Sequence, residues 1–83
     1  MNTEKNTILQ QAAEHRAREV LHHQINIDNY KRAVAIIDER HAASNDMLKF
    51  KEQLLGLLSS SIIEQTKEQI MLEVITQQLS ENE

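Results

Sequence analysis

Apolar residues recur along this 83-residue chain with the spacing of an α-helix. One set of positions seven residues apart is apolar almost throughout, namely Ala13, Val20, Ile27, Val34, His41, Leu48, Leu55 and Ile62. A companion set alternates between apolar and polar residues, namely Leu9, Arg16, His23, Tyr30, Ile37, Ser44, Lys51 and Leu58. Further apolar residues widen this stripe beyond the narrow seam of a two-stranded coiled coil. The pattern predicts long bundle-type helices.

Two groups of polar residues mark where these helices begin and end. Thr7 and Gln10 form a T-x-x-Q capping box directly before the first apolar positions. Ser44, Asn45 and Asp46 are three consecutive residues that favour turns and helix N-caps. We therefore predict helices over residues 7–43 and 46–80, joined by a turn at 44–45. Their near-equal length favours an antiparallel helical hairpin.

The second helix has one candidate break, over residues 56–61. Gly56 lies in an otherwise helical stretch, where glycine costs roughly 1 kcal/mol relative to alanine. Ser61 and Glu64 then form another possible capping box. A break here would give a compact three-helix domain instead of a hairpin. We favour the hairpin and keep the three-helix domain as the alternative.

The composition supports an all-α fold in a single domain over residues 1–83. The chain has one glycine and no proline, too few of the residues that an all-β domain needs at its turns. It also has no cysteine, which excludes disulfides and thiolate metal sites. A domain of this size buries only about 60% of the surface that its unfolded chain exposes. Such domains often need a partner subunit for stability.

The second helix is too apolar to be covered by a single neighbouring helix. Around residues 54–58 and 70–75, apolar side chains occupy most of the helix circumference, whereas packing on one neighbour covers one stripe. We therefore predict a homodimer in which two hairpins form a four-helix bundle. The predicted interface residues are Leu54, Leu55, Leu57, Leu58, Ile62, Ile63, Ile70, Met71, Val74 and Ile75.

Two short motifs raise the question of a metal site. Glu19 and His22 form E-x-x-H, the spacing by which one helix of a di-iron bundle supplies two ligands, and Asp38 and His41 form D-x-x-H. A di-iron bundle needs further inward carboxylates and a second such motif, and the second helix has no histidine. We expect these four residues to lie on the solvated surface and predict no metal. His41, His23, Arg16 and Lys51 also fall on the heptad positions, where polar groups can fix register.

Catalysis finds no support in the sequence. Cysteine is absent, Ser59, Ser60 and Ser61 have no histidine nearby, and no glycine-rich phosphate loop exists. We predict a protein that is not an enzyme and binds no cofactor.

The charge pattern disfavours nucleic acid as a partner. Residues 1–51 carry a net charge of +1 and residues 52–83 a net charge of −5, and no basic run is free of acidic neighbours. The apolar run 54–63 is far shorter than the roughly 20 residues of a membrane span, and residues 1–7 are polar with no signal-type apolar stretch behind them. We expect a cytoplasmic protein without membrane contact.

These observations favour a non-enzymatic protein–protein interaction module, whose partners are itself and a second protein. As a homo-oligomeric bundle it would act as an adaptor, an inhibitor or a regulatory subunit. Two alternatives remain: a metal-binding helical bundle that uses the E-x-x-H ligands, and a small nucleic-acid-binding dimer that uses Arg16, Arg18, Lys31 and Arg32.

Overall fold

The computed structural model describes residues 2–81 and consists of two long helices, α1 (Asn2–Arg40) and α2 (Asn45–Glu81). The helices pack against each other along their length as an antiparallel hairpin, a rod with extents of 64 × 14 × 14 Å. No strand occurs within residues 2–81. The predicted all-α hairpin is confirmed.

Helix α1 begins earlier than the sequence pattern indicated. Its first residue is Asn2, and Thr7 already lies within the helix, where its hydroxyl donates to the carbonyl of Thr3 at 2.9 Å. Such a bond back to the preceding turn is an interior contact and not a cap. The capping-box interpretation of Thr7 and Gln10 was therefore wrong, because the residues before Thr7 are themselves compatible with a helix.

The turn comprises residues 41–44 and not 44–45. The backbone N–H of His41 donates to the carbonyl of Ile37 at 2.8 Å, and that of Ser44 donates to the carbonyl of His41 at 3.0 Å. Ser44 is the N-cap of α2, because its hydroxyl oxygen accepts from the N–H of Met47 at 3.3 Å. Its role at the start of α2 agrees with the sequence, whereas His41 lies exposed in the turn and not on a core position.

Helix α2 runs without interruption through Gly56, so the predicted alternative of a break near 56–61 and a third helix was wrong. Ser59 stays inside the helix and donates its hydroxyl to the carbonyl of Leu55 at 3.0 Å. One glycine costs about 1 kcal/mol in a helix, which the packing of a 37-residue element outweighs.

The seam between the helices follows both predicted heptad sets in α1 but only the companion set in α2, where Lys51 and Leu58 are half-buried. Ile27 and Ile37 are buried as those sets require, and in α2 the buried residues are Leu54 and Ile75. Leu48, Leu55 and Ile62, which the continued heptad placed in the core, are exposed. After the four-residue turn, the first set is replaced in the seam by the residues one position earlier, so that Leu54 is buried in place of Leu55. The α2 seam positions are Met47, Lys51, Leu54, Leu58, Ser61, Gln65, Glu68, Leu72, Ile75 and Leu79.

A two-helix rod leaves much of its surface in solvent. The chain exposes 6243 Å², whereas a compact protein of 9.6 kDa exposes about 5,100 Å². Among the described residues, only Ile27, Ile37, Leu54 and Ile75 are buried apolar side chains, and each keeps between 3% and 8% of its surface exposed. The hairpin therefore carries about 1,100 Å² of surface that a compact fold would hide.

Candidate functional site: an outward-facing apolar surface on α2

Over residues 61–71, helix α2 turns polar residues toward α1 and its large apolar residues toward solvent. The seam positions are the half-buried Ser61, Gln65 and Glu68. The exposed apolar positions of this segment are Ile62, Ile63, Ile70 and Met71, whose exposed fractions are 44%, 57%, 54% and 40%. The other exposed positions are polar, namely Glu64, Thr66, Lys67 and Gln69. Water-soluble helices normally place their apolar stripe toward the neighbouring helix. This segment does the reverse.

The polar seam is held by specific contacts between the helices. Arg16 Nη1 donates to both carboxylate oxygens of Glu68, at 3.2 and 3.0 Å. Gln65 Nε2 donates to the carbonyl of Val20 at 3.1 Å and to Oε1 of Gln24 at 2.9 Å. These bonds satisfy polar groups that the seam partly buries, which would be costly if left unpaired. In the rotation of α2 that allows these bonds, its isoleucines at 62, 63 and 70 face outward.

The outward apolar residues extend in both directions along α2. Together they form what we term the α2 outer surface: Leu55, Gly56, Leu57, Ile62, Ile63, Ile70, Met71 and Val74. From residue 55 to residue 74 this surface is roughly 29 Å long. Two exposed polar residues beside the middle of this surface, Glu64 and Lys67, pair with each other at 3.0 Å. The surface is therefore apolar and locally neutral.

The ten residues predicted as an interface divide into two groups. Leu54 and Ile75 are buried within the hairpin, and Leu58 is half-buried there. The remaining seven lie on the α2 outer surface, each between 40% and 57% exposed. Sequence reasoning left out two exposed apolar residues nearer the turn, Leu48 and Phe50. Their spacing of seven from Leu55 and Leu57 is the signal that would have included them.

The candidate metal ligands do not come together. Glu19 is half-buried, His22 is exposed and stacks on His23 with ring centroids 6.0 Å apart. Asp38 accepts from Lys51 Nζ at 2.6 Å, and His41 lies in the turn. The two motifs are separated by nineteen residues of helix, roughly 28 Å. Within residues 2–81, no three His, Asp or Glu side chains are arranged to hold a metal ion.

The basic residues considered for nucleic-acid binding do not all face the same environment. Arg16 is committed to Glu68 across the seam, and the seam residue Lys51 pairs with Asp38. Arg18, Lys31 and Arg32 are exposed on α1.

A shallow open groove of about 460 Å³ lies toward the end of α2, lined by Gln69, Leu72, Glu73, Thr76, Gln77 and Ser80. All its lining residues come from one helix. It offers neither a nucleophile–base pair nor convergent groups from a second element, which small-molecule sites usually have.

Comparisons with known proteins do not add to this description. Searches of protein-family models, of curated proteins and of solved structures found no significant match to the chain. Neither of the two described helices has an apolar stretch that could cross a membrane. Among the described residues, α1 also exposes large apolar side chains, but its four, Ile8, Leu21, Ile25 and Ile36, are spread over residues 8–36, whereas the α2 outer surface groups seven within residues 55–74.

Proposed function

We propose that this protein is a non-enzymatic protein–protein interaction module that works through a homo-oligomeric helical bundle, in its simplest form a dimer of hairpins. The observation that carries this proposal is the inverted segment of α2, where Ile62, Ile63, Ile70 and Met71 face solvent over a polar seam. An isolated hairpin gains nothing from that arrangement. A partner that covers the outer surface does.

The energy available on this surface is sufficient for association. Full burial of a Leu or Ile side chain contributes about 1.5–3 kcal/mol. Seven side chains that are already about half covered would add on the order of 7 kcal/mol per subunit, or about 14 kcal/mol per dimer. If association costs about 6 kcal/mol in lost freedom, the remainder corresponds to a roughly micromolar dissociation constant.

The area of the surface fits a second copy of the chain. A standard interface buries about 800 Å² on each partner. The hairpin exposes about 1,100 Å² more than a compact protein of its mass, so one such interface would remove most of the excess. Because the surface is a single straight helix face, two copies offer each other the same shape, as in the isologous contacts of two-fold dimers.

The dimer leaves the outer face of α1 in solvent on both sides of the assembly, including the exposed apolar residues Ile8, Leu21, Ile25 and Ile36. We propose that an adaptor, inhibitor or regulatory role uses these faces, with dimerisation as the first step. This extension depends on the dimer and is tested after it.

Sedimentation and light scattering over a wide range of protein concentration test the dimer directly. We expect the mass to approach twice 9.6 kDa as concentration rises and the melting temperature to rise with it. Ile63→Glu places a charge on the outer surface and should shift the protein to a monomer. Leu21→Glu is the matched control, since Leu21 is 61% exposed but lies on α1; it should leave the dimer intact. A wild-type protein that stays monomeric at every concentration would reject the proposal.

A further inference from the structure

We propose that the second copy packs its α2 antiparallel to the first, with the two-fold axis at Ile63, so that Ile70 of each subunit lies over Gly56 of the other. This inference rests on the proposed dimer and specifies its contact. It makes α2 the central element of the assembly and places α1 of each subunit on the outside.

Three residues define the line of contact. Gly56, Ile63 and Ile70 are seven residues apart and lie on the side of α2 opposite its seam with α1, where all three are exposed. Ile63 and Ile70 are the most exposed large apolar residues of α2, at 57% and 54%. A two-fold axis at Ile63 places each residue of the contact line that precedes Ile63 in one subunit opposite the residue that follows Ile63 by the same number of positions in the other subunit. Gly56 is then opposite Ile70.

Gly56 has no function within the hairpin. It is the only glycine of the chain, and a Cβ added there would meet nothing within 4 Å. Its backbone conformation is ordinary, since no glycine in residues 2–81 has a positive φ. Glycine also allows another chain to approach the helix closely. The hollow at Gly56, between the side chains of Leu55 and Leu57, has the place and the apolar character to receive an isoleucine as a knob into a hole.

The neighbours of this line are consistent with the same axis. Leu57 of one subunit comes beside Met71 of the other, and Ile62 comes beside its own counterpart. All three residues are exposed in the hairpin. Glu64 of one subunit also approaches Glu64 of the other near the axis. Each Glu64 is already paired with Lys67 of the same subunit. The apolar residues therefore meet apolar residues, and the charges at the centre are balanced.

The distribution of charge along α2 favours the antiparallel direction. The second half of the helix is acidic, with Lys67 as its one basic residue: Glu64, Glu68, Glu73 and Glu81. Parallel helices would place two such halves side by side, and like charges at close range repel. The antiparallel pair instead sets Lys49 opposite Gln77, one helical turn from Glu73 and Glu81 of the other subunit. The first half of α2 is balanced, so this direction removes the repulsion.

Single cysteines test this geometry, because the chain has none of its own. A disulfide requires Cα atoms about 4.4–6.8 Å apart, so it forms only between residues that face each other. Under mild oxidation with diamide, we expect Ile63→Cys to form a covalent dimer by itself. Gly56→Cys and Ile70→Cys should link when mixed but weakly when alone. Arg18→Cys, exposed on α1, is the control and should not link.

A second pair of cysteine variants tests the same geometry without a substitution at Gly56. Lys49→Cys and Gln77→Cys lie equally far from Ile63 and are both exposed in the hairpin. They should also link when mixed and not alone. Circular dichroism of each variant verifies that the helices are retained before linking is scored.

The outcomes separate the two proposals. Strong self-linking of Gly56→Cys and of Ile70→Cys would indicate parallel helices, and linking of Arg18→Cys alone would indicate contact through α1. Either result, with a dimer by sedimentation, overturns this geometry and leaves the proposed function standing. A protein that is monomeric by sedimentation and links nowhere overturns both.

Discussion

Arg16 and Glu68 are paired across the seam of the hairpin, with Arg16 Nη1 at 3.2 and 3.0 Å from the two carboxylate oxygens. The seam positions they occupy are ones that a helical hairpin would ordinarily fill with leucine. The pair therefore occupies two seam positions at the expense of apolar burial. Ile63 and Ile70 lie on the opposite side of α2, on the outer surface.

We expect removal of one partner of this pair to be worse than removal of both. Glu68→Leu leaves the Arg16 guanidinium partly buried without its carboxylate and should lower the free energy of unfolding by about 1 kcal/mol. The size is modest because the two side chains remain 34% and 19% exposed. The double variant Arg16→Leu with Glu68→Leu should recover that loss or exceed wild type. Urea unfolding of the wild type, Arg16→Leu, Glu68→Leu and the double variant completes the double-mutant cycle. Additive changes in the free energy of unfolding would show that the pair is not coupled.

Leu54 and Leu55 are adjacent leucines with opposite surroundings, one buried against α1 and one exposed on the outer surface. Leu54→Ala should destabilise the hairpin by about 2–4 kcal/mol, because it opens a cavity in a thin seam. Leu55→Ala should change the unfolding free energy of the dilute protein by less than about 1 kcal/mol and weaken dimerisation instead. Unfolding at low concentration and sedimentation at high concentration measure the two effects. Equal loss of hairpin stability in both variants would contradict the assigned seam.

Gly56→Ala separates the stability of the subunit from that of the dimer. Alanine fits the hairpin freely and should raise the stability of the monomeric helix by about 1 kcal/mol. It should also weaken the dimer, because the methyl group enters the hollow proposed to receive Ile70. Thr76→Ala, also exposed on α2 but beside the seam residue Ile75, improves helix propensity away from that line and serves as the control. A dimer as strong in Gly56→Ala as in Thr76→Ala would argue against close contact at Gly56.

Ser44 is expected to be the most sensitive residue of the turn. Its hydroxyl satisfies the N–H of Met47 at the start of α2. Ser44→Ala should lower the free energy of unfolding by about 1 kcal/mol, whereas Ser44→Asp should retain most of it, since aspartate caps equally well. The neighbouring exposed Ala43 supplies a control in Ala43→Ser, which should be nearly neutral. Thermal unfolding monitored by circular dichroism distinguishes the three variants.

The parts of the fold that depend on local periodicity could be predicted from the sequence. Ile27 and Ile37 recur in phase with other apolar residues over several heptads, so the seam of α1 was identifiable. Ser44 was recognisable because a capping residue acts on its own next turn. The rotation of α2 about its axis could not be predicted in this way, because it depends on how four residues reverse the chain. Periodicity counted through the turn therefore chose Leu55 for the core in place of Leu54.

The sequence predicted that apolar residues of the second helix would remain uncovered, but not which of them form the candidate surface. The excess of apolar residues in the second helix is visible in composition alone, and it indicated that a single neighbour would not cover them. Which of them face outward follows from tertiary pairing, above all from Arg16 with Glu68 and from Gln65 with Val20. Those pairs join residues 52 and 45 positions apart. No local pattern specifies contacts over such separations.

The rod is only two helices thick, 14 Å across its narrow directions, and this thinness ties folding to partner choice. In a thicker domain, surface residues can change while the residues of the core stay the same. Here each seam residue is followed by one that is exposed to solvent, so a rotation of α2 by one residue, about 100°, exchanges the two sets. Evolution could then alter what the molecule recognises by adjusting a few seam contacts, without touching the residues that meet the partner.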